Sequence, residues 1–292
     1  MSTASREDPR RRLEVGLLGL LVTGCVALGG CDAGRTADVP GSEPERTSRS
    51  AAPTRAIEPG ETVSPERPLA GRVIVIDPGH QLGNRSFSAE VDAPVEAGGF
   101  TKPCNTTGTA TNDGYPEATF TWEVARVLRR TLVEAGARVV LTRSTNSATD
   151  WGPCVDVRGR AGNPGAPGPT ADLKISIHGD GSLAPGAHGF HVIVPREVAP
   201  WTTDIAGPSS RLGQDVRDAL VAAGFATATY VGHDGIDVRR DLATLNLADI
   251  PSVLVELGNM RDARDAAEME SAAGRLAYAS ALAAAVERFS AR

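Results

Sequence analysis

Short apolar runs of strand length alternate along this chain with stretches of helical periodicity. The runs lie at residues 73–76, 138–142, 173–177, 190–194 and 252–255. They are predominantly apolar and rich in β-branched residues, as strands buried on both faces of a sheet are. Helices are predicted at residues 117–135, 209–223 and 262–289. This alternation predicts the α/β class, as a single domain with one sheet that helices cover on both faces.

The amino terminus has the pattern of an export signal. Three arginines at residues 10–12 precede an apolar stretch, residues 15–28, that is too short for a confident membrane span. The stretch ends in Leu28-Gly29-Gly30-Cys31, which resembles a bacterial lipobox and makes Cys31 a candidate for lipidation. A plain secretory signal with incidental cysteines is the alternative. We therefore predict a signal peptide at residues 1–31 and an exported protein, anchored to the membrane if Cys31 carries lipid.

Residues 32–69 differ in composition from the rest of the chain. Ser, Thr, Pro, Glu, Arg and Gly dominate there, and large apolar side chains are nearly absent. Such a segment cannot bury enough apolar surface to offset the entropy that it would lose on ordering. We predict a disordered linker over residues 32–69 and a folded domain over residues 70–292.

The overall charge argues against one class of partner. The formal net charge of the chain is −6 at pH 7. Nucleic-acid binding needs a concentration of basic side chains that can neutralise phosphates, and the sequence has no such basic stripe. We expect no nucleic-acid partner.

Two cysteines, Cys104 and Cys154, lie outside the signal segment. In an exported protein such a pair is by default a disulfide. A pair of metal ligands is the alternative, but no His or Cys stands nearby with zinc-finger spacing. The two cysteines fall in long loops predicted at residues 83–115 and 144–170, so a disulfide would tie these loops together.

Three potential metal ligands stand where an α/β sheet places its active site. His80 and His178 follow the first and third predicted strands, and Glu117 lies in the first turn of the first helix. Ligands of open α/β sheets gather outside the carboxyl ends of the strands. Two imidazoles and one carboxylate are a known catalytic zinc set that leaves a coordination position open. A zinc ion held there would act as a Lewis acid in hydrolysis.

Glu256 follows the last predicted strand directly. A carboxylate at the end of an apolar strand is costly to bury without a task. Beside a metal it could take a proton from water and pass it to a leaving amine. The alternative is that it pairs with an arginine, such as Arg239 or Arg240.

Two further residues are open to more than one interpretation. Asp77 either orients a ligand imidazole as a hydrogen-bond acceptor or caps the turn at Pro78. His191, on the fourth predicted strand, could line the cleft, but we interpret it as structural.

Four segments resemble, in order, the motifs of one known family. Residues 75–80, Val-Ile-Asp-Pro-Gly-His, resemble the opening motif of the N-acetylmuramoyl-L-alanine amidases of the zinc amidase 3 type. Glu117, with Leu-Thr-Arg at residues 141–143, is similar to the family's ligand helix and next strand. Residues 171–178 resemble the second histidine motif, and residues 251–259 resemble the glutamate motif. Together the matches cover nearly all of residues 72–290.

The resemblance implies a fold and a set of residue roles. The fold is a mostly parallel twisted sheet flanked by helices. His80, Glu117 and His178 are implied as Zn²⁺ ligands, and Glu256 as the general base. The Gly-Asn-Met ending at residues 258–260 and the paired cysteines resemble the mycobacterial, actinobacterial branch, which acts as a single catalytic domain.

The implied activity is hydrolysis of the amide bond between N-acetylmuramic acid and L-alanine. The implied partner is peptidoglycan or its muropeptide fragments, for an exported protein that faces the cell wall and that we expect to be a monomer. Two alternatives remain open: a zinc peptidase that cuts another cell-wall peptide bond, and a non-catalytic wall-associated lipoprotein.

Three positions depart from the family pattern. Gln81 follows the first histidine where Gly is usual, Thr121 stands where Asn is common, and Gly179 replaces the Ala that usually follows the second histidine. None of them removes a ligand, so they bear on loop shape and on substrate contacts.

Overall fold

The computed structural model describes residues 67–292, which lie in one compact unit. The predicted signal peptide with Cys31, and the predicted linker up to residue 66, lie outside the described residues. Leu69, which the sequence placed at the end of the linker, is fully buried in the main core, and its amide donates to the carbonyl of Ala135 at 3.0 Å. The folded part therefore includes residues just ahead of position 70.

A six-stranded sheet forms the centre of the domain. Its strands lie in the order β4-β1-β5-β8-β6-β7. They are β1 (Val73–Pro78), β4 (Arg138–Leu141), β5 (Leu173–Asp180), β6 (His191–Pro195), β7 (Ile236–Arg239) and β8 (Ser252–Asn259). Every neighbouring pair is parallel except β6 and β8, which run antiparallel. The prediction of a mostly parallel sheet is confirmed.

Helices cover both faces of the sheet, as predicted. The helices α2 (Glu117–Glu134), α4 (Ala206–Ala222) and α7 (Ala272–Ser290) pack on one face. Their apolar side chains form the main core with those of the strands, for example Phe120, Leu128 and Tyr278 against Ile76 and Ile175. The short helices α3 (Val155–Arg160) and α5 (Ala243–Asn246) lie on the other face. The α/β single-domain prediction is confirmed.

The predicted terminal helix is two helices. The helix α6 (Ala263–Glu270) ends before Ser271, and α7 begins directly after it. Ser271 has an extended backbone, and its hydroxyl accepts a hydrogen bond from the Gly274 amide at 2.8 Å. Serine is a preferred N-cap because its side chain satisfies an amide that has no partner inside the helix. The spacing of apolar residues continues across Ser271, so the sequence pattern alone did not show the break.

The two predicted loops contain short elements. A 3₁₀ helix (Leu82–Ser86), α1 (Ser88–Val91) and a hairpin of β2 (Pro94–Glu96) and β3 (Thr101–Pro103) occupy the first loop, and α3 lies in the second. The edge strand β7 was also missed, because it is short and half-exposed and carries no apolar run.

The sheet order determines which side chains can meet. β1, β5 and β8 are neighbours in the centre of the sheet and run parallel, so their carboxyl ends lie at one edge. β6 runs the other way and therefore begins at that edge.

Among the described residues, no helix is long and apolar enough to cross a membrane.

Candidate active site

The three predicted ligands converge at the carboxyl edge of the sheet. One ligand atom from each of His80, Glu117 and His178 lies within 4.8 Å of the others. Oε1 of Glu117 is 3.1 Å from Nε2 of His80 and 2.9 Å from Nδ1 of His178. Two imidazole nitrogens and one carboxylate oxygen that face a common point are a donor set suited to a divalent transition metal.

The backbone turns sharply to bring His80 into this cluster. His80 follows β1 and has a φ of +57°, a left-handed conformation that non-glycine residues rarely adopt and that often marks a functional site. Nδ1 of its ring lies 3.1 Å from the carbonyl oxygen of Thr106. A proton on Nδ1, donated to that carbonyl, leaves the Nε2 lone pair free to face Glu117.

Glu117 is the first residue of α2 and is buried. Its Oε2 accepts a hydrogen bond from the Thr109 amide at 2.9 Å, and its Oε1 accepts one from the Gly179 amide at 3.2 Å. Burial alone would raise the pKa of this carboxyl group, but the two imidazoles beside it lower the pKa well below its usual value. The carboxylate is therefore held in the ionised form that a metal ligand requires.

A buried ion pair lies against Nε2 of the His178 ring. Asp77 is fully buried and accepts hydrogen bonds from Nε and Nη2 of Arg158, at 2.8 and 3.0 Å. Ser176 and Thr142 donate to the same carboxylate, at 2.7 and 2.6 Å. Nη2 of Arg158 also lies 3.1 Å from Nε2 of His178. Among residues 67–292, Asp77 does not hydrogen-bond an imidazole itself, and Arg158 lies between the two groups. Arg158 was not identified by the sequence analysis.

Glu256 lies on β8 directly beside His178 of β5 in the register of the sheet. Its Oε2 is buried and has no hydrogen-bond partner among the described residues. Burial, followed by the negative charges of Glu117 and Asp180, raises its pKa well above the usual value for a glutamate. Arg239, one of the two arginines considered as its partner, instead binds Asp241 at 2.7 and 2.8 Å.

A cleft of about 310 Å³ lies over these residues. Its walls include the three ligands, Glu256, Lys102 of the hairpin and Arg239 of the edge strand. The hairpin is held there because Nζ of Lys102 donates to the carbonyl of Asp241 at 2.8 Å. The cleft therefore exposes the three predicted ligands and one carboxyl group with a raised pKa to a molecule from solvent.

Cys104 and Cys154 form a disulfide in the structure. Cys104 precedes Asn105 and Thr106, the segment that contacts His80, and Cys154 is the residue that precedes α3, which carries Arg158. The bridge thus joins the two loops at the cleft, each of which contacts a predicted ligand.

The departures from the family pattern have structural explanations. Gln81 is buried, and its Oε1 accepts from the Ser147 amide at 3.1 Å, so it anchors the second long loop. Thr121 donates its hydroxyl to the Gly79 carbonyl at 2.9 Å and holds the turn after β1. Neither Gln81 nor Thr121 lines the cleft. Gly179 has no side chain there, and its amide donates to Glu117.

Comparison with known proteins gives consistent matches. The family model described as N-acetylmuramoyl-L-alanine amidase matches residues 74–288. An N-acetylmuramoyl-L-alanine amidase of Mycobacterium tuberculosis is 46% identical over 222 residues, which are 76% of this chain and 87% of the relative.

Two solved structures are also similar. The amidase Ami1 of Mycobacterium smegmatis superposes with a TM-score of 0.69 at 39% identity, covering 76% of this chain and 98% of that structure. The apo form of Ami1 from Mycobacterium abscessus gives a TM-score of 0.68 at 43% identity, covering 76% of this chain and 99% of that structure. The similarity therefore spans almost the whole length of both solved chains.

Proposed function

The chain belongs to the N-acetylmuramoyl-L-alanine amidase family, and on that premise we propose that its peptidoglycan amidase activity depends on zinc. The bond that it cuts joins the lactyl carbonyl of N-acetylmuramic acid to the amine of L-alanine. The convergence of His80, Glu117 and His178 within 4.8 Å carries the proposal. We assign these three side chains as the zinc ligands.

The donor set fits zinc better than the harder divalent cations. Mg²⁺ and Ca²⁺ prefer oxygen ligands, whereas two of the three atoms here are imidazole nitrogens. Zinc, when bound, supplies Lewis acidity that polarises the scissile carbonyl and lowers the pKa of the attacking water.

Glu256 supplies the proton transfers. As a carboxylate it accepts a proton from the water whose oxygen bonds to the carbonyl carbon. As a carboxylic acid it then returns that proton to the alanine nitrogen as the carbon–nitrogen bond breaks. The products are a muramic acid carboxylate and a stem peptide with a free amine. Burial and the negative charges of Glu117 and Asp180 raise the pKa of Glu256, which favours the protonated form that gives its proton to the leaving amine.

The predicted organisation of the chain matches this activity. We propose a signal peptide over residues 1–31, a linker over residues 32–69 with its last residues in the fold, and a zinc amidase catalytic domain to residue 292. Export brings the catalytic domain to peptidoglycan, and a lipid on Cys31 would tether it to the membrane facing the wall.

Digestion of purified peptidoglycan tests the proposal. We expect the release of stem peptides that begin with a free L-alanine amine, identified by mass spectrometry. A chelator should abolish the release, and added Zn²⁺ should restore it. Glu256→Gln should retain the metal but lose activity by about 10²–10⁴-fold. Cleavage at another peptide bond, or full activity in chelator, would refute the assignment.

A further inference from the structure

Three titratable side chains form a transverse row across neighbouring strands. In the register of the sheet, Glu256 of β8 is paired with His178 of β5 on one side and with His191 of β6 on the other. Residues that are directly opposite each other on paired strands point to the same face of the sheet. The row therefore consists of a proposed zinc ligand, the proposed proton carrier and a second histidine, which the sequence analysis interpreted as structural.

His191 lies on the cleft face of the sheet. Two residues further along β6, Ile193 lines the cleft, and so does its cross-strand partner Leu254. Side chains alternate between the faces of a strand, so His191 points to the same side as Ile193. The imidazole is buried, with 2% of the residue exposed. It therefore lies beside the cleft, on the same face of the sheet, without lining the cleft itself.

One polar atom of His191 and one of Glu256 lack hydrogen-bond partners. Nδ1 of His191 and Oε2 of Glu256 are both buried without a hydrogen bond among the described residues. A buried polar atom left unpaired costs about 1–3 kcal/mol. A histidine kept only for packing would be expected to bond a neighbour, or to be replaced by an apolar side chain.

The Tyr230 side chain limits the positions that the His191 imidazole can take. Its ring meets the His191 ring edge to face at 6.0 Å, and its hydroxyl donates to Oδ2 of Asp180 at 2.7 Å. The imidazole is thereby flanked by a fixed aromatic ring, and Glu256 is its partner in the adjacent strand. Cβ atoms of such antiparallel pairs lie about 4.5–5.5 Å apart, which is close enough for an imidazole and a carboxyl group to hydrogen-bond when the two side chains turn toward each other.

We propose that His191 is a positioning residue for the amidase reaction, which holds the carboxyl group of Glu256 from the side that faces away from the metal ligands. Its imidazole offers one N–H to the carboxylate, and this contact forms as the substrate enters the cleft. Hydrogen bonds at catalytic sites are often long in the free enzyme and tighten only with substrate bound. Burial lowers the pKa of His191, which favours the neutral ring. The inference rests on the proposed role of Glu256.

The metal-ligand cluster does not include His191. The ligand atoms that converge belong to His80, Glu117 and His178, and β8 with Glu256 lies between His178 and β6. Replacing His191 should therefore leave metal binding intact, which separates its role from that of a ligand.

A double-mutant cycle tests the proposal. The full-length, zinc-loaded enzyme is compared with His191→Phe, His191→Gln and Glu256→Ala, and with the double variant His191→Phe/Glu256→Ala, on a soluble muropeptide. We expect His191→Phe to lower kcat about 10–100-fold, as losses of outer-shell partners do, with little change in KM. His191→Gln, which keeps an N–H donor, should recover part of that loss. In the Glu256→Ala background, followed by long single-turnover assays, His191→Phe should cause no further loss.

Three controls keep the outcome interpretable. Zinc content and unfolding temperature, which do not depend on activity, should match the parent enzyme in both His191 variants. His233→Phe, at an exposed position, should leave kcat unchanged. Equal losses from His191→Phe in both Glu256 backgrounds, or no loss in either, would overturn the proposal. A wild-type enzyme that releases no alanine-terminated peptide would instead overturn the proposed function.

Discussion

At the scale of single residues, the proposed ligand His178 lies against a buried charge pair. Arg158 donates two hydrogen bonds to the carboxylate of Asp77, and its Nη2 lies 3.1 Å from Nε2 of His178; both charged groups are almost completely buried. A side chain fixed against a ligand imidazole restricts the orientation of that ring. Removing one partner leaves an uncompensated buried charge, which is more costly than losing both.

Arg158→Met should weaken zinc binding. The variant removes the group that lies against Nε2 of His178, and losses of this kind lower metal affinity about 10–100-fold. Competition with a zinc chelator measures the affinity. Arg160→Ala on the same helix is the control, since its side chain is half-exposed and pairs with Asp156 at 3.5 Å. The double variant Asp77→Asn/Arg158→Met removes both charges and should be better folded than Arg158→Met. Unchanged affinity in a folded Arg158→Met protein would contradict the prediction.

Asp77 should make stability depend on acid pH. Burial would raise its pKa, but the ion pair with Arg158 and three side-chain hydrogen bonds lower it well below its usual value. Its contribution is therefore complete above the unfolded pKa of about 3.9 and decreases by about 1.4 kcal/mol for each pH unit below it.

Comparison with a variant isolates this contribution. Asp77→Asn should be less stable than the metal-free parent at pH 6, and the difference in free energy of unfolding should shrink from pH 4 to pH 2. Denaturant unfolding at each pH measures it. A difference that stays constant over that range would show that Asp77 does not carry the effect.

At the scale of elements, the turn after β1 brings two proposed ligands together by close packing. Gly79 lies between β1 and His80, and a Cβ atom there would be 2.5 Å from Cε1 of the His178 ring. The loop after the hairpin also passes close to a proposed ligand. A Cβ atom on Gly108, which has a φ of +75°, would be 2.8 Å from Oε2 of Glu117. Two glycines thus lie directly against the His178 ring and the Glu117 carboxylate.

Gly79→Ala should disrupt the cluster more than the fold. The added methyl group must displace the His178 ring, so we expect a loss of zinc stoichiometry with a smaller change in unfolding temperature. Gly207→Ala in α4 is the matched control, because its Cβ would meet only the Arg211 side chain at 3.8 Å. Metal analysis after gel filtration is the measurement. Full zinc content in Gly79→Ala would mean that the ring can move without cost.

The disulfide should stabilise the domain through its long loop. Cys104 and Cys154 are separated by 50 residues, and the chain-entropy model assigns a bridge of that length about 4 kcal/mol. Cys104→Ser/Cys154→Ser should lose most of this in denaturant unfolding. Because both loops contact ligands, zinc affinity should fall as well. A double variant as stable as the parent would show that other contacts hold the loops.

At the scale of the whole molecule, the two faces of the sheet have different tasks. One face is a continuous apolar core beneath α2, α4 and α7. On the other face lie Asp77, Ser176, His178 and Glu256, beneath the short helices and the hairpin. The large core stabilises the fold, while the thinly covered face leaves room for the cleft.

The location of the protein in the cell should depend on Cys31. Cys31→Ala should move the protein from the membrane fraction to the soluble extracytoplasmic fraction, since each buried methylene of a lipid contributes about 0.8 kcal/mol to anchoring. Cys25→Ala, which changes the other cysteine of the predicted signal peptide, is the control and should leave the protein at the membrane. Fractionation followed by immunoblotting measures both variants. A soluble parent protein would favour the plain secretory signal.

Much of this molecule follows from the sequence alone. The buried strands, the α/β class and the candidate ligands are local or periodic patterns, because strand and helix each impose their own spacing of apolar residues. Because His80, His178 and Glu256 each follow a predicted strand, the sequence also predicted that they lie at one edge of the sheet. Those features need no knowledge of which strands are neighbours.

Tertiary structure alone decided the rest. That Arg158 reaches His178, that Glu256 lies between His178 and His191, and that Gly79 packs under a ring are contacts between distant segments. No periodicity encodes them, because strand order and register determine which side chains meet and one residue of slip would turn Glu256 to the opposite face. The break between α6 and α7 at Ser271 likewise involves a capping hydrogen bond, which the apolar pattern does not encode.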